Sequence, residues 1–140
     1  MYMIHINYTF VVLAALANFI IGFMFHGPLF GKLWMKLSNI QMTGNEKLSD
    51  MIPQMIGNFI VNLICAYVLA MFIFVTQSYY GNVGNVIGGM GIAFWAWFGF
   101  IFTSSSINVI WMGQSKKLWL FEAAASLVSF LAMGAILAHQ

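Results

Sequence analysis

Two ionisable residues, His26 and Glu122, stand inside otherwise apolar stretches of this chain. With Asn18, Asn58, Asn62, Asn108, Ser104, Ser105, Ser106 and Ser126 they form the polar inventory from which any chemistry must come. Ionisable groups in such surroundings are expensive, and they often mark proton or substrate routes. A hydrolase would need a nucleophile, a base and an oxyanion hole, and Ser104 to Ser106 with His26 supply only the first two by composition. No glycine-framed serine motif accompanies them. Met51 and Met55 have the MxxxM spacing of soft-metal ligands, and Met1, Met3 and His5 stand together, but a chain with 11 Met produces such spacings easily. No catalytic residue, metal site or cofactor is therefore predicted, and an enzyme is the less favoured class.

The elements that position these residues follow from composition. Of 140 residues, 62% are hydrophobic and only 6% are charged, about a quarter of the charged fraction of a soluble domain. A domain of this size has too little interior to hide so much apolar surface, so lipid must act as its solvent. All five basic residues are lysines, which removes the bidentate partner that phosphate and carboxylate groups prefer. Nucleic acid is accordingly excluded as a partner. The single cysteine, Cys65, can form no intramolecular disulfide and reads as a small apolar filler.

Four stretches are long enough to span the hydrocarbon core as helices: residues 8–26, 52–76, 83–112 and 118–138. Short connections predict antiparallel neighbours, giving an all-α integral membrane protein built as a four-helix antiparallel bundle in one domain, residues 1–140. The first span lacks a basic segment before it and is too long for a signal peptide, so it is expected to stay in the mature protein. Lys32, Lys36 and Lys47 lie in the first connection and Lys116 and Lys117 in the third, while neither terminus nor the second connection has a lysine. The positive-inside rule then places loops 27–51 and 113–117 in the cytoplasm and both termini on the other side, as in a bacterial inner membrane. Trp34, Trp111 and Trp119 would mark the inner interface, and Tyr79 with Tyr80 the outer one.

After the Gly27-Pro28 break, Leu29, Phe30, Leu33, Trp34, Leu37 and Ile40 recur at helical spacing opposite Lys32, Lys36 and Asn39. This predicts an interfacial amphipathic helix over residues 29–41, between the first two spans, with Lys32 and Lys36, like Lys116 and Lys117, facing lipid headgroups. The chain turns near 43–49, the segment with the most disorder-like composition, and Asp50 is a candidate N-cap of the second span with Pro53 in its first turn.

Each span also carries a stripe of small or polar residues, the currency of helix association in lipid. The first has Ala14, Asn18, Gly22 and His26, the second Asn58, Asn62, Ala66 and Ala70. The third has Gly84, Gly88, Ala96, Gly99, Thr103 and Ser106, and the fourth Glu122, Ser126 and Ser129. Gly22, Gly84, Gly88, Ala96 and Gly99 are the expected helix contacts, and the deep Trp95 and Trp97 point to a neighbouring subunit. The polar residues gather toward the lysine-bearing end. They either staple the helices together or line a small hydrophilic cavity.

The chain resembles a family of small four-helix membrane proteins catalogued as domain of unknown function 1761. The likeness rests on Asn18 with Ile21-Gly22-Phe23, on the run from Gly27-Pro28-Leu29-Phe30 through Gly31-Lys32-Leu33 to Trp34-Met35, and on the last helix. There it covers Lys117-Leu118-Trp119-Leu120-Phe121, Leu127-Val128-Ser129 and Met133-Gly134-Ala135-Ile136-Leu137. The resemblance implies a four-span architecture and supplies no activity. The family pattern has aromatic residues before the Gly-Pro, where this chain has Phe25-His26, and a polar, often uncharged residue near Glu122. The expected role is that of a non-enzymatic membrane protein that self-associates or serves a larger membrane complex. The alternative is a minimal oligomeric channel or carrier for protons or a small solute, using the polar cluster.

Overall fold

Long apolar runs satisfy their own backbone groups only as helices when water is excluded, and the two prolines of this chain, Pro28 and Pro53, lie outside helix interiors. A computed structural model of the chain describes residues 4–39, 48–81 and 85–140, and every regular element among them is helical. Helix α1 covers Tyr8–His26, α2 Gly31–Ser38, α3 Ile52–Tyr80, α4 Val86–Ala96, α5 Thr103–Met112 and α6 Lys116–Leu137. A 3₁₀ turn, Leu48–Met51, leads into α3, and a π-helical turn, Trp97–Phe102, joins α4 to α5 in one rod. Tyr8–His26, Ser49–Tyr80, Val86–Met112 and Lys116–Leu137 are long and apolar enough to cross a membrane.

Local chemistry sets the ends. The Asn7 side chain accepts from the Thr9 N–H at 3.1 Å, Asn85 from Gly88 at 2.7 Å, and Ser115 from Leu118 at 3.5 Å, each satisfying a donor that a helix start leaves free. Asp50 does not cap α3 as expected: it lies in the 3₁₀ turn, and Met51 holds the cap position without a side-chain bond. Helix α3 runs on to Tyr80 instead of ending near Thr76, because Gln77 to Tyr80 meet no breaker before Gly81. The amphipathic helix is shorter than expected and ends where Asn39 turns left-handed at φ 57°; Ile40 and Lys47 lie outside the described residues.

Helix α6 is the centre of the packing. It lies against α1 on one side and against the α4–α5 rod on the other, while α3 packs chiefly on α1. Pairs of contacts give the directions: Tyr8 with Tyr67 and Asn18 with Asn62 run α1 against α3, and Trp97 with Ser126 and Ser105 with Trp119 run the rod against α6.

The tightest crossing is Gly89 on Gly134. A Cβ on Gly89 would stand 2.3 Å from the Gly134 carbonyl oxygen, and one on Gly134 would stand 2.5 Å from that of Gly89. Ala138 and Ala93 complete the contact from the next turns. Gly22 and Gly99, expected to make such contacts, have nothing within 4 Å of their Cβ positions, so they face open space. Gly84 lies outside the described residues, while Ala96 packs against the core's edge.

The core is thin and rich in alanine: Ala14, Ala15, Ala66, Ala70 and Ala93 are fully buried, beside Ile73, Met133 and Leu137. Outside it the helices are as apolar as within, with Val61 61% and Ile87 80% exposed. Such a continuous apolar exterior would drive aggregation in water.

Candidate functional site

His26 closes α1 immediately before the Gly27-Pro28 break, and that break folds α2 back over the helix end. The reversal requires Gly27 and is crowded at Gly31. A Cβ at Gly27 would lie 2.7 Å from the Phe23 carbonyl oxygen, and one at Gly31 would lie 3.2 Å from that of His26. Trp34 of α2 and Glu122 of α6 are thereby brought to the same imidazole. His26 Nε2 lies 3.0 and 2.9 Å from the two carboxylate oxygens of Glu122, and the Trp34 indole N–H donates to Glu122 Oε1 at 3.1 Å.

The other ring nitrogen, Nδ1, lies 2.8 Å from the Gly22 carbonyl oxygen, which can only accept, so Nδ1 carries a proton. One further proton then lies between Nε2 and the carboxyl group, making either an imidazolium with a carboxylate or a neutral imidazole with a carboxylic acid. Aromatic rings wall this pair. Trp34 and Phe121 meet the imidazole edge-on at 5.2 and 5.8 Å, and Phe25 and Phe30 extend the wall. The side chains stay partly open, 31% for His26 and 39% for Glu122.

A cavity of about 360 Å³ opens between α1 and α3 beside this pair, lined by Asn18, His26, Asn58, Asn62, Met51 and Met55 among others. Counting helical rise, Asn58 and Asn62 lie roughly 9 and 15 Å along α3 from Ile52, and Asn18 lies roughly 12 Å before His26. The Asn18 amide donates to Asn62 Oδ1 at 3.1 Å, and Asn62 is buried. Asn58 is exposed to the cavity. Met51 and Met55 line the cavity as well, but both nitrogens of His26 are already engaged, which leaves no imidazole lone pair to complete a soft-metal set.

The remaining expected residues lie elsewhere. Ser104 and Ser106 donate to the carbonyls of Phe100 and Thr103, Thr103 donates to Gly99, and Ser105 donates to Phe102 at 3.1 Å. Thr76 and Ser78 of α3 bond the carbonyls of Phe72 and Phe74 in the same way, so this is ordinary back-bonding of hydroxyls within a helix. Ser105 also accepts from the Trp119 indole at 3.0 Å, and Ser126 accepts from that of Trp97 at 2.8 Å. Asn108 is exposed, outside the cavity, and its carbonyl ends α5 by accepting from Gly113 and Gln114. Among the described residues no hydrogen bond joins His26 to a serine.

Three features escaped the sequence reading. The Trp34 bond to Glu122 did, since Trp34 reads as an interface marker. Trp97 is buried inside the chain against Ser126 instead of facing another subunit, whereas Trp95 is 69% exposed. The Gly89–Gly134 crossing did carry a signal: Gly89 with Ala93 and Gly134 with Ala138 are twin small pairs at a spacing of four.

The fold and site together define a class: all-helical proteins with four helices of membrane-crossing length and an inward-turned ionisable pair beside a polar cavity. Within that class the chain belongs to the family described as Protein of unknown function (DUF1761), whose model matches residues 9–138. No curated protein and no solved structure matches it.

Proposed function

We propose that this chain is a four-span antiparallel membrane bundle acting as a minimal carrier or channel, with the α1–α3 cavity as its passage and the His26–Glu122 pair as its proton-bearing element. One observation carries the reading: His26 both bonds Glu122 and lines the polar cavity, so a change in the pair's proton is felt at the cavity wall. A pure staple needs the bonds and has no use for the space. Lys32, Lys36, Lys116 and Lys117 are exposed at the same end, where they meet anionic headgroups on the cytoplasmic side of a bacterial inner membrane, with both termini opposite. Helix α2 lies in that headgroup plane. Measuring proton leak in proteoliposomes tests the reading: Glu122→Gln abolishes it while circular dichroism stays unchanged, and an unchanged leak removes Glu122 from the mechanism.

A second reading, self-association or service as a subunit of a larger membrane complex, rests on a different observation. Between α3 and the α4–α5 rod run two apolar crevices of about 390 and 760 Å³ that share Val68, Phe72, Ala96 and Phe100, with the exposed Trp95 along the larger one. A neighbouring helix would fill them. Crosslinking through Gly88→Cys in a Cys65→Ser background tests it, and a strictly monomeric product opposes it.

A further inference from the structure

The α1–α3 cavity has a chemical character narrower than its polarity alone. Among the described residues its lining includes three carboxamides and two thioethers, and no carboxylate or lysine. Glu122 stands behind His26 and is not part of the wall. The imidazole spends both ring nitrogens on Gly22 and Glu122, so it offers the cavity neither a free donor nor a free lone pair.

What remains is supplied by the asparagines. With the Asn18 amide donating to Asn62 Oδ1, the Asn18 oxygen and the Asn62 nitrogen keep bonding capacity, and Asn58 contributes an acceptor and a donor. A hard cation would need several negatively charged or carbonyl oxygens converging on it, and an anion would need a cation or a helix N-terminus. Among the described residues this wall has amide oxygens but no carboxylate and no lysine, and the one group that can carry charge, His26, is already paired with Glu122, so the wall offers no free charge to compensate that of a solute. Alternating acceptors and donors suit a ligand that both donates and accepts, and 360 Å³ falls at the small end of the range of about 300–1,000 Å³ typical of ligand pockets.

Resting on the carrier reading above, we infer that the solute of this cavity is small, uncharged and able both to donate and to accept hydrogen bonds, as a short polyol or a urea-type amide is. The exposed Asn58 is its first contact, and the Asn18–Asn62 pair, with Asn62 buried, is the deeper one. The proton of the His26–Glu122 pair sits beside the solute and does not bind it.

Stopped-flow light scattering on proteoliposomes in iso-osmotic glycerol or urea, run beside a proton-leak assay on the same vesicles, tests this. Faster uptake of at least one of the two solutes than in empty vesicles, lowered at least fivefold by Asn58→Leu and unchanged by Ser78→Ala at the other end of α3, supports the inference. Proton leak sensitive to Glu122→Gln with no uptake of either solute overturns the inference and leaves the carrier reading standing. Uptake indifferent to Asn58→Leu overturns the assignment to this cavity. No flux of protons or solute overturns both. Asn58 makes no side-chain bond in the described structure, so its replacement leaves folding intact, which circular dichroism checks.

Discussion

His26 and Glu122, 96 residues apart in the chain, meet at 2.9 Å, and the same carboxylate takes the Trp34 indole N–H. Three helices are thus fastened at one point. Because the partners act as a unit, His26→Ala and Glu122→Ala should be non-additive, with a coupling of about 0.5–3 kcal/mol in a double-mutant cycle of thermal unfolding in detergent. Additive losses would show that the two side chains do not interact in the folded protein.

The Gly89–Gly134 crossing leaves no room for a side chain on either helix. Gly89→Val or Gly134→Val should lower stability by about 1–3 kcal/mol or more through forced separation of the helices. Gly22→Ala and Gly99→Ala, whose Cβ positions face open space, should stay within about 0.5 kcal/mol of the parent. Unfolding midpoints in one detergent compare all four.

Two tryptophans two residues apart should behave differently. Trp97→Phe removes a buried indole and its bond to Ser126, a loss of about 1 kcal/mol. Trp95 is largely exposed, so Trp95→Phe should change stability by less than about 0.5 kcal/mol. Equal effects would contradict the burial of Trp97 and the exposure of Trp95 on opposite sides of the rod.

The Asn18–Asn62 bond separates stapling from passage. Asn62→Leu removes the bond from the Asn18 amide, which then faces the cavity, and should destabilise by about 0.5–1.5 kcal/mol, with the Asn18→Leu, Asn62→Leu double variant losing little more. If the cavity conducts solute, the double variant folds and fails to transport. Full flux through a stable double variant would mean that these amides only join helices.

The helices were legible in the sequence because apolar length is a strong signal: four runs of membrane-crossing length appear in both. His26, Glu122, Asn18, Asn58 and Asn62 were legible as polar exceptions, yet their grouping with Ser104 to Ser106 and Asn108 was not resolved. Depth along a helix can be counted, but rotation about the axis cannot be carried through the π turn at Trp97–Phe102, which re-aims every later residue. The serines bond their own backbone as hydroxyls in apolar helices commonly do, and Asn108 lies away from the cavity because α5 packs on α6 and not on α1 or α3. The choice of Gly89 over Gly88 is also a matter of rotation, since a shift of one residue moves a contact by about 100° around a helix. Trp34 was missed because α2 folds back on α1, a tertiary event that hydropathy does not encode.

On the carrier reading, water and solute reach the space between α1 and α3 while the outer face of α3 meets lipid. Cysteine labelling compares the two surfaces directly, with Asn58→Cys and Ile60→Cys each placed in a Cys65→Ser background and reconstituted in liposomes. Asn58 lines the cavity, and Ile60 is about as far along α3 but 51% exposed on apolar surface. A charged, membrane-impermeant thiol reagent should modify Asn58→Cys readily and leave Ile60→Cys untouched. Equal protection of both positions would mean that the cavity is closed to water and that the polar residues serve only to hold the helices together.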